Sequence, residues 1–178
     1  MTDLKPFQVL QHLSDVYAAN AKPLPAEKEE IETRTIVCFS ILGNNMAVSL
    51  EEVTEILERQ HCTLLPRVKR WVKGLANVRG RLLPVIDFAE FLQGSLSSHP
   101  KHQRILVLET GGLYVGLQVD QVYGMEHFPV HNYVSQAKNI PEVLADCIQG
   151  SFVVDGEEWP LLRPPYLINN EKFMNVAA

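Results

Sequence analysis

The sequence predicts an all-β fold with few, short helices, built as two small antiparallel β-barrels in tandem behind an N-terminal helix. Short β-branched and apolar segments alternate with glycine-containing turns from Arg34 onward, as in barrels of short strands. No long helical pattern separates these segments, which argues against alternating βαβ units. The segments also repeat, since two later hairpins share one spacing: Gly74…Gly80…Pro84 and Gly150…Gly156…Pro160.

Bulk composition fits a folded protein of one good core or two small ones. The chain has 178 residues, 46% of them hydrophobic and 21% charged, with a formal net charge of -5. That charge does not favour a nucleic-acid binder, which normally needs a basic face. The N-terminal sequence lacks a basic segment followed by a long apolar run, and no apolar stretch approaches the ~20 residues of a membrane span. We expect a cytoplasmic protein.

The residue pattern predicts no catalytic, metal or cofactor site. Cys38, Cys62 and Cys147 are odd in number and include no CxxC pair, so neither a disulfide framework nor a zinc site is indicated. The six histidines form no HExxH motif, and no serine lies in a GxSxG turn. The adjacent His61 and Cys62 lack the second ligand cluster that a metal would require.

Residues 3–19 are predicted to form an amphipathic helix. Asp3 could cap its first turn, and an apolar face is formed by Phe7, Leu10, Leu13 and Tyr17. Left free, this face would be exposed, so the helix either packs on a barrel or serves as a second partner site. Residues 20–33, with two prolines and a charge run, are predicted to be a linker, which sets 1–33 apart from the rest.

Four hairpins are predicted after the linker. Their strands are Thr35–Leu42 with Met46–Leu50, Leu75–Val78 with Leu82–Ile86, Arg104–Glu109 with Leu113–Val119, and Ser151–Val154 with Glu158–Leu162. The turns fall at Gly43-Asn44-Asn45, Arg79-Gly80-Arg81, Thr110-Gly111-Gly112 and Asp155-Gly156. The turn-rich segment 93–101 is the expected break between subdomains at about 34–92 and 101–168, and 169–178 is left as a tail.

A basic stretch, residues 67–81, is open to three interpretations. It contains six cationic residues, no acid and Trp71; the cations are Arg67, Lys69, Arg70, Lys73, Arg79 and Arg81. It can be an ordinary solvated surface, a contact for nucleic acid, or an interface with a protein, where arginine and tryptophan are frequent anchors.

Three separated segments resemble the CheW family of chemosensory adaptors, in the same order. "WVKGLANVRGRLLPVIDFAEFL" (71–92) resembles the family signature, and "VCFSILGNNMAVSLEEVTEIL" (37–57) is similar to its opening hairpin and Val-x-Glu-Ile element. "RILVLETGGLYVGLQVDQVYGM" (104–125) resembles its Gly-x-x-Val-Asp-x-Val stretch. The resemblance covers roughly residues 34–168.

This resemblance implies two five-stranded SH3-like barrels, no catalysis and no cofactor. It implies an adaptor that couples the cytoplasmic tip of a methyl-accepting chemoreceptor to the regulatory domain of a CheA-type histidine kinase. Kinase-binding positions are then expected at Val53, Glu55, Ile56 and Gly74. Receptor-binding positions are expected in the groove between barrels, at Arg79, Gly116, Asp120 and Val122.

Two structural expectations accompany these positions. Arg79 and Glu55 recur together in the family pattern, so we expect them to pair near the rim of the first barrel. Gly80 is expected at a hairpin tip with positive φ, a conformation that side chains disfavour.

Within the family, the N-terminal extension and "WVKGLANVRGRLLPVIDF" most resemble the adaptor of the type IV pilus (twitching motility) chemosensory system. An adaptor of a flagellar chemotaxis array is the alternative within the same class. A nucleic-acid-binding module that uses residues 67–81 is the alternative from a different class. As an adaptor, the protein would meet the membrane only through its receptor.

Overall fold

The computed structural model describes residues 6–20, 31–138, 140 and 142–178. The predicted N-terminal helix is present as α1 (Pro6–Asn20), on which the side chains of Phe7, Leu10 and Tyr17 are largely exposed. The predicted cap at Asp3 and linker positions 21–30 lie outside the described residues. Within the described ranges, no helix is long and apolar enough to cross a membrane. Residues Glu32–Ala178 form a compact unit separate from that of α1.

In the described part of the chain, eleven strands form two sheets, and the fold is two SH3-like β-barrels with few short helices, as predicted. One sheet has six strands in the order β8-β1-β2-β11-β10-β9, and the other has five in the order β3-β6-β7-β5-β4. The strands are β1 (Thr33–Ile41), β2 (Asn44–Ser49), β3 (Val53–Glu58), β4 (Val72–Val78), β5 (Arg81–Asp87), β6 (Arg104–Thr110), β7 (Leu113–Val119), β8 (Gln121–Pro129), β9 (Tyr133–Val134), β10 (Ile148–Val154) and β11 (Glu157–Leu162). The helices are α2 (Phe88–Phe91), α3 (Pro164–Leu167) and α4 (Glu171–Met174), with 3-10 turns at Leu50–Glu52, Val130–Asn132 and Glu142–Cys147.

All four predicted hairpins are confirmed, and they share one turn geometry. Each has a two-residue loop with positive φ at both positions, the pattern of a type I′ turn that matches the twist of the flanking strands. The loops are Leu42-Gly43, Arg79-Gly80, Gly111-Gly112 and Asp155-Gly156.

The first turn lies one residue earlier than predicted. The sequence predicts it at Gly43-Asn44-Asn45, whereas the loop includes Leu42, whose φ of 52° is uncommon for a residue other than glycine. A tertiary contact accounts for this conformation, since the backbone N–H of Leu42 donates to Oδ2 of Asp120 at 2.8 Å.

The sheets do not follow the predicted division at residues 93–101. The five-stranded barrel, β3 to β7, is one continuous segment, and the six-stranded barrel takes β1 and β2 from before it and β8 to β11 from after it. Two pairings are parallel, β2 with β11 and β5 with β7, which an all-antiparallel scheme did not include. Hairpin signals report only neighbours in sequence, whereas these pairings join strands far apart in the chain.

The largest hydrophobic core lies between the two sheets rather than inside either barrel. Phe39 and Val48 reach it from the six-stranded sheet, and Leu106 and Leu117 reach it from the five-stranded sheet. Smaller clusters lie on the far face of each sheet. Strand β1 therefore buries both faces, which explains its continuous apolar run.

The C-terminal segment 169–178, predicted as a tail, packs on the five-stranded barrel. The Phe173 ring on α4 is 4% exposed and lies 5.3 Å from the Phe91 ring and 6.1 Å from the Trp71 ring, measured between centroids. Beyond α4, Ala177 forms an antiparallel bridge with Val68. These contacts hold the chain end against the start of the basic stretch.

Candidate functional site

The exposed edge of β3 carries three of the four predicted kinase-binding positions. β3 pairs with β6 on one side, and no strand of the described residues pairs with its other side. Exposure alternates along it, so Val53 packs against the core between the barrels while Ile56 is 39% exposed. Of the three, Ile56 therefore presents the accessible apolar side chain, flanked by the exposed Thr54 and Glu58.

Arg79 and Glu55 form the predicted ion pair. Nη1 of Arg79 lies 2.7 Å from Oε1 of Glu55, and the two side chains are 82% and 18% exposed. The second oxygen of Glu55, Oε2, is buried and accepts no hydrogen bond from the described residues. The pair joins the β4–β5 hairpin tip to β3, so a predicted receptor-binding residue touches a predicted kinase-binding residue.

Backbone geometry favours glycine at two positions of this region, Gly80 and Gly74. Gly80 has φ +84° in the hairpin loop, as predicted, and its N–H donates to Oδ1 of Asn77 at 2.9 Å. Gly74 is buried with φ +126°, and a Cβ on it would lie 2.1 Å from the carbonyl oxygen of Thr63. Gly74 thus permits the segment after β3 to approach β4, and it offers no side chain to a partner.

Arg81, the second arginine of the hairpin tip, is held by the five-stranded barrel itself. Its guanidinium donates to both carboxylate oxygens of Glu109, at 2.8 and 3.1 Å, and lies 4.0 Å from the centre of the Tyr114 ring. The hydrogen bonds from Arg81 lower the pKa of Glu109 below its ordinary value, so the carboxylate stays charged. Sequence inspection missed this cluster, because Glu109 and Tyr114 lie on another hairpin.

The basic stretch carries less free positive charge than its sequence suggests. Arg70 and Lys73 both reach Glu90, at 3.6 and 3.1 Å, and Lys73 also reaches Asp87 at 3.0 Å. Burial alone would lower the pKa of Lys73, but the hydrogen bonds to Asp87 and Glu90 outweigh it and raise that pKa. With Arg79 and Arg81, four of the six cations are paired to carboxylates. This pairing weakens the nucleic-acid alternative, because it offsets part of the positive charge that phosphate binding would use.

Two of the predicted receptor-binding positions, Gly116 and Asp120, are buried. Gly116 lies mid-sheet on β7, where a Cβ would be 2.7 Å from Cγ2 of Ile105. Asp120 is 3% exposed, at the point where the chain passes from β7 to β8. Its carboxylate accepts from Leu42 N at 2.8 Å, Ser97 N at 2.6 Å and Ser98 N at 2.9 Å. The structure thus explains both residues by packing and by loop anchoring.

Val122, the remaining predicted receptor position, is half-buried on β8 and packs against the core between the barrels. It lies opposite Phe39 of β1, in the six-stranded sheet, whereas Arg79 pairs with the edge of the five-stranded sheet. The predicted set therefore spans both barrels. Among the described residues, no group of three or more histidine, cysteine or acidic side chains comes together as a metal ligand set.

A model of the CheW-like domain matches residues 35–172 of the chain. The chain belongs to the CheW-like domain family. The family is one of scaffolds without catalytic activity, which gives the protein the coarse role of an adaptor in chemotaxis-type signalling. The match reaches past residue 168 into α4, in keeping with the packed C-terminal segment.

One relative matches this chain over its full length, and others match part of it. PilI of Pseudomonas aeruginosa is 38% identical over 179 residues, covering 100% of both chains. FrzA of Myxococcus xanthus is 32% identical over 93 residues, which cover 52% of this chain and 58% of FrzA. The chemotaxis protein CheW of Thermotoga maritima is 30% identical over 90 residues, covering 51% and 59% of the two chains.

The CheW fold is also found in a solved structure. The scaffolding protein TtCheW of Thermoanaerobacter tengcongensis superposes with a TM-score of 0.66 at 22% identity, covering 74% of this chain and 90% of TtCheW. At that identity, the comparison supports the double-barrel fold alone.

Proposed function

We propose that this protein couples methyl-accepting chemoreceptors to a CheA-type histidine kinase in a type IV pilus chemosensory pathway. It would act in the cytoplasm, recruited to membrane-associated arrays through the receptor, with no catalysis or cofactor of its own. The similarity to PilI over the full length of both chains carries the pathway assignment. This match includes residues 1–34, which precede the CheW-like domain match.

The proposed kinase surface is the free edge of β3 around Ile56. An edge strand presents unpaired backbone groups and can be covered by another barrel, burying about 1,000–1,600 Å² in total. Val53, Glu55 and Gly74 support this surface from beneath, since Val53 packs on the core, Glu55 holds Arg79 and Gly74 admits the neighbouring loop.

The proposed receptor surface is centred on Arg79, with Val122 at the junction of the barrels. The receptor tip is expected to be a helical hairpin, and a helix in a groove needs apolar contacts plus charges that fix its register. The Arg79 guanidinium is largely exposed and meets only one oxygen of Glu55, so it keeps donors for a partner. Gly116 and Asp120 would act on this surface indirectly, by fixing β7 and the crossing to β8.

Substitutions at exposed positions test the two surfaces separately. Val53→Asp or Val122→Asp would place a charge against the core, so Ile56→Lys and Arg79→Ala are the better variants. With purified kinase and receptor cytoplasmic fragments, Ile56→Lys should lose kinase binding and keep receptor binding, and Arg79→Ala should do the reverse. Val153→Lys, on β10 at 41% exposure, is the matched control for Ile56→Lys and should retain both. Loss of the same partner in both variants would contradict the assignment.

The pathway and the class are tested in the native cell. Deletion of the gene should abolish twitching and leave swimming intact; lost swimming with intact twitching would support the flagellar alternative. Recovery of a kinase and a receptor with the tagged protein supports the adaptor. Steeply salt-dependent binding to competitor DNA would support the nucleic-acid alternative.

A further inference from the structure

The six-stranded barrel has an aromatic and acidic cavity whose lining includes none of the residues assigned to kinase and receptor, although its Tyr123 directly follows Val122. Its volume is about 700 Å³, and it opens to solvent. Three aromatic side chains line it in a chain of contacts: the Trp159 ring lies 6.0 Å from both Tyr123 and Phe128, at angles of 89° and 56°. Cys38, Asn45, Glu126, Val154, Asp155 and Glu157 complete the lining.

The strand that forms one wall is bent so that Tyr123 meets the cavity. The pairing of β8 with β1 shifts between Cys38, which faces Gly124, and Phe39, which faces Val122. Tyr123 is therefore the extra residue of a β-bulge, and Gly124 takes φ +134° beside it. Bulges of this kind redirect a side chain. Tyr123 remains 52% exposed although its ring contacts Trp159, so it forms an accessible rim of the cavity.

The negative charge of the cavity lacks a cation from the described part of the chain. The ion pairs found there do not involve Glu126, Asp155 or Glu157. Glu157 instead accepts from Nδ2 of Asn45 at 2.9 Å, which orients the carboxylate without neutralising it. At the cavity wall, burial and the charge of Glu126 raise the pKa of Cys38 to about 12, so this thiol stays neutral.

Aromatic faces and carboxylates are complementary to the same ligand chemistry. The negative face of an aromatic ring attracts a cation, and a carboxylate accepts hydrogen bonds from an ammonium or a guanidinium. We propose that this cavity binds the side chain of an arginine or lysine presented by a partner protein. It would give the adaptor a third contact surface, on the barrel that does not carry the β3 edge.

The test follows the indole N–H of Trp159 by NMR, because the chain has two tryptophans and Trp159→Phe assigns the signal. The probe is acetyl-Gly-Arg-Gly-amide, with the norleucine peptide as the neutral counterpart and tetramethylammonium as a free cation. The arginine peptide should shift the indole signal saturably. The norleucine peptide should bind with at least tenfold lower affinity. Added salt should weaken the binding of the arginine peptide.

Exposed variants keep the test independent of folding. Glu126→Gln and Tyr123→Ala should each weaken the arginine peptide at least threefold, whereas Met125→Ala, exposed on the same strand but outside the cavity, should not. Equal binding of the norleucine peptide would overturn the proposal, as would wild-type affinity for the arginine peptide in both cavity variants. Tighter binding of tetramethylammonium than of the arginine peptide would make the cavity a site for small cations. None of these outcomes depends on kinase or receptor binding, so they are separate from the proposed function.

Discussion

Arg79 and Glu55 connect the tip of the β4–β5 hairpin to the free edge of β3, through a contact of 2.7 Å. The Arg79 side chain is largely exposed to solvent, whereas the Glu55 side chain is mostly buried. The surfaces proposed for kinase and receptor consequently meet at this ion pair. A partner that draws Arg79 away from Glu55 would change the neighbourhood of Ile56 directly.

Arg79→Ala should impair receptor binding more than stability. Because the Arg79 side chain is 82% exposed, losing the pair should cost about 1 kcal/mol or less in free energy of unfolding. Thermal unfolding and receptor binding, measured on the same preparation, check this. A melting temperature that collapses while the folded fraction binds normally would show that the pair is structural.

Gly80 and Gly74 should respond differently to alanine. A Cβ on Gly80 meets no heavy atom within 4 Å, so Gly80→Ala should cost only the backbone penalty of about 1 kcal/mol, and Gly80→Asn less. Gly74→Ala would place Cβ 2.1 Å from the Thr63 oxygen and should cost on the order of 3 kcal/mol or more. Urea unfolding compares the three variants, and equal losses at both glycines would refute the turn assignment.

Asp120→Ala should destabilise the fold strongly while weakening receptor binding by the folded molecules much less than Arg79→Ala does. The substitution leaves the N–H groups of Leu42, Ser97 and Ser98 without their acceptor, at a cost of about 3 kcal/mol. Asp120→Asn, which keeps one carbonyl oxygen, should lie between. Chemical unfolding gives the stability. If the variant is stable and binds receptor poorly, Asp120 is a contact residue after all.

The stability difference between wild type and Glu52→Gln should depend on pH. Burial raises the pKa of Glu52, and the charge and hydrogen bond of Arg163 only partly oppose the rise. The folded state then holds this proton more tightly than the unfolded state, so wild-type stability declines relative to Glu52→Gln as pH increases above about 4.3. Urea unfolding at pH 4 and pH 7 measures the change, and Glu58→Gln, at an exposed glutamate of β3, is the control. A difference that does not grow with pH would contradict this reasoning.

The three thiols should differ in reactivity towards a disulfide reagent at pH 8. Cys38 and Cys147 are buried, and burial raises the pKa of both, to about 12 for Cys38. Cys62 is only half-buried, so we expect it to react first although burial raises its pKa as well. One thiol should react rapidly in the native protein and three in urea, and Cys62→Ser should remove the rapid phase. Rapid reaction of two thiols in that variant would show that a buried site opens.

The features predicted correctly from the sequence are those that depend on residues close together in the chain. Alternating apolar residues and glycines locate all four hairpins, and Gly80 adopts the positive φ expected of it. The position of the Leu42-Gly43 turn was not predicted, because Asp120, 78 residues away, holds Leu42 in a conformation that leucine disfavours. The parallel pairings of β2 with β11 and β5 with β7 have no local signal either.

For the candidate site, the family pattern located the positions but could not distinguish exposed residues that can touch a partner from buried residues that hold the surface in place. Gly116 and Asp120 match it as Arg79 does, yet they are buried and Arg79 is exposed. The pairing of Arg79 with Glu55 followed from their recurrence together. The cluster of Tyr123, Phe128 and Trp159 had no comparable signal, because a bulge in β8 and the distant β11 bring these rings together.

The segment that forms the five-stranded barrel is inserted between the strands of the six-stranded barrel along the chain, and this arrangement limits how the molecule can deform. Within the described residues, the chain crosses between the sheets at two points, Leu50–Glu52 and Asp120. Each crossing carries a buried carboxylate bound to a residue beside the six-stranded sheet: Glu52 to Arg163 and Asp120 to Leu42. Two domains joined by one tether can swivel about it. Two anchored tethers and a shared core oppose such torsion, so a displacement imposed on one barrel should reach the other as a rigid-body movement.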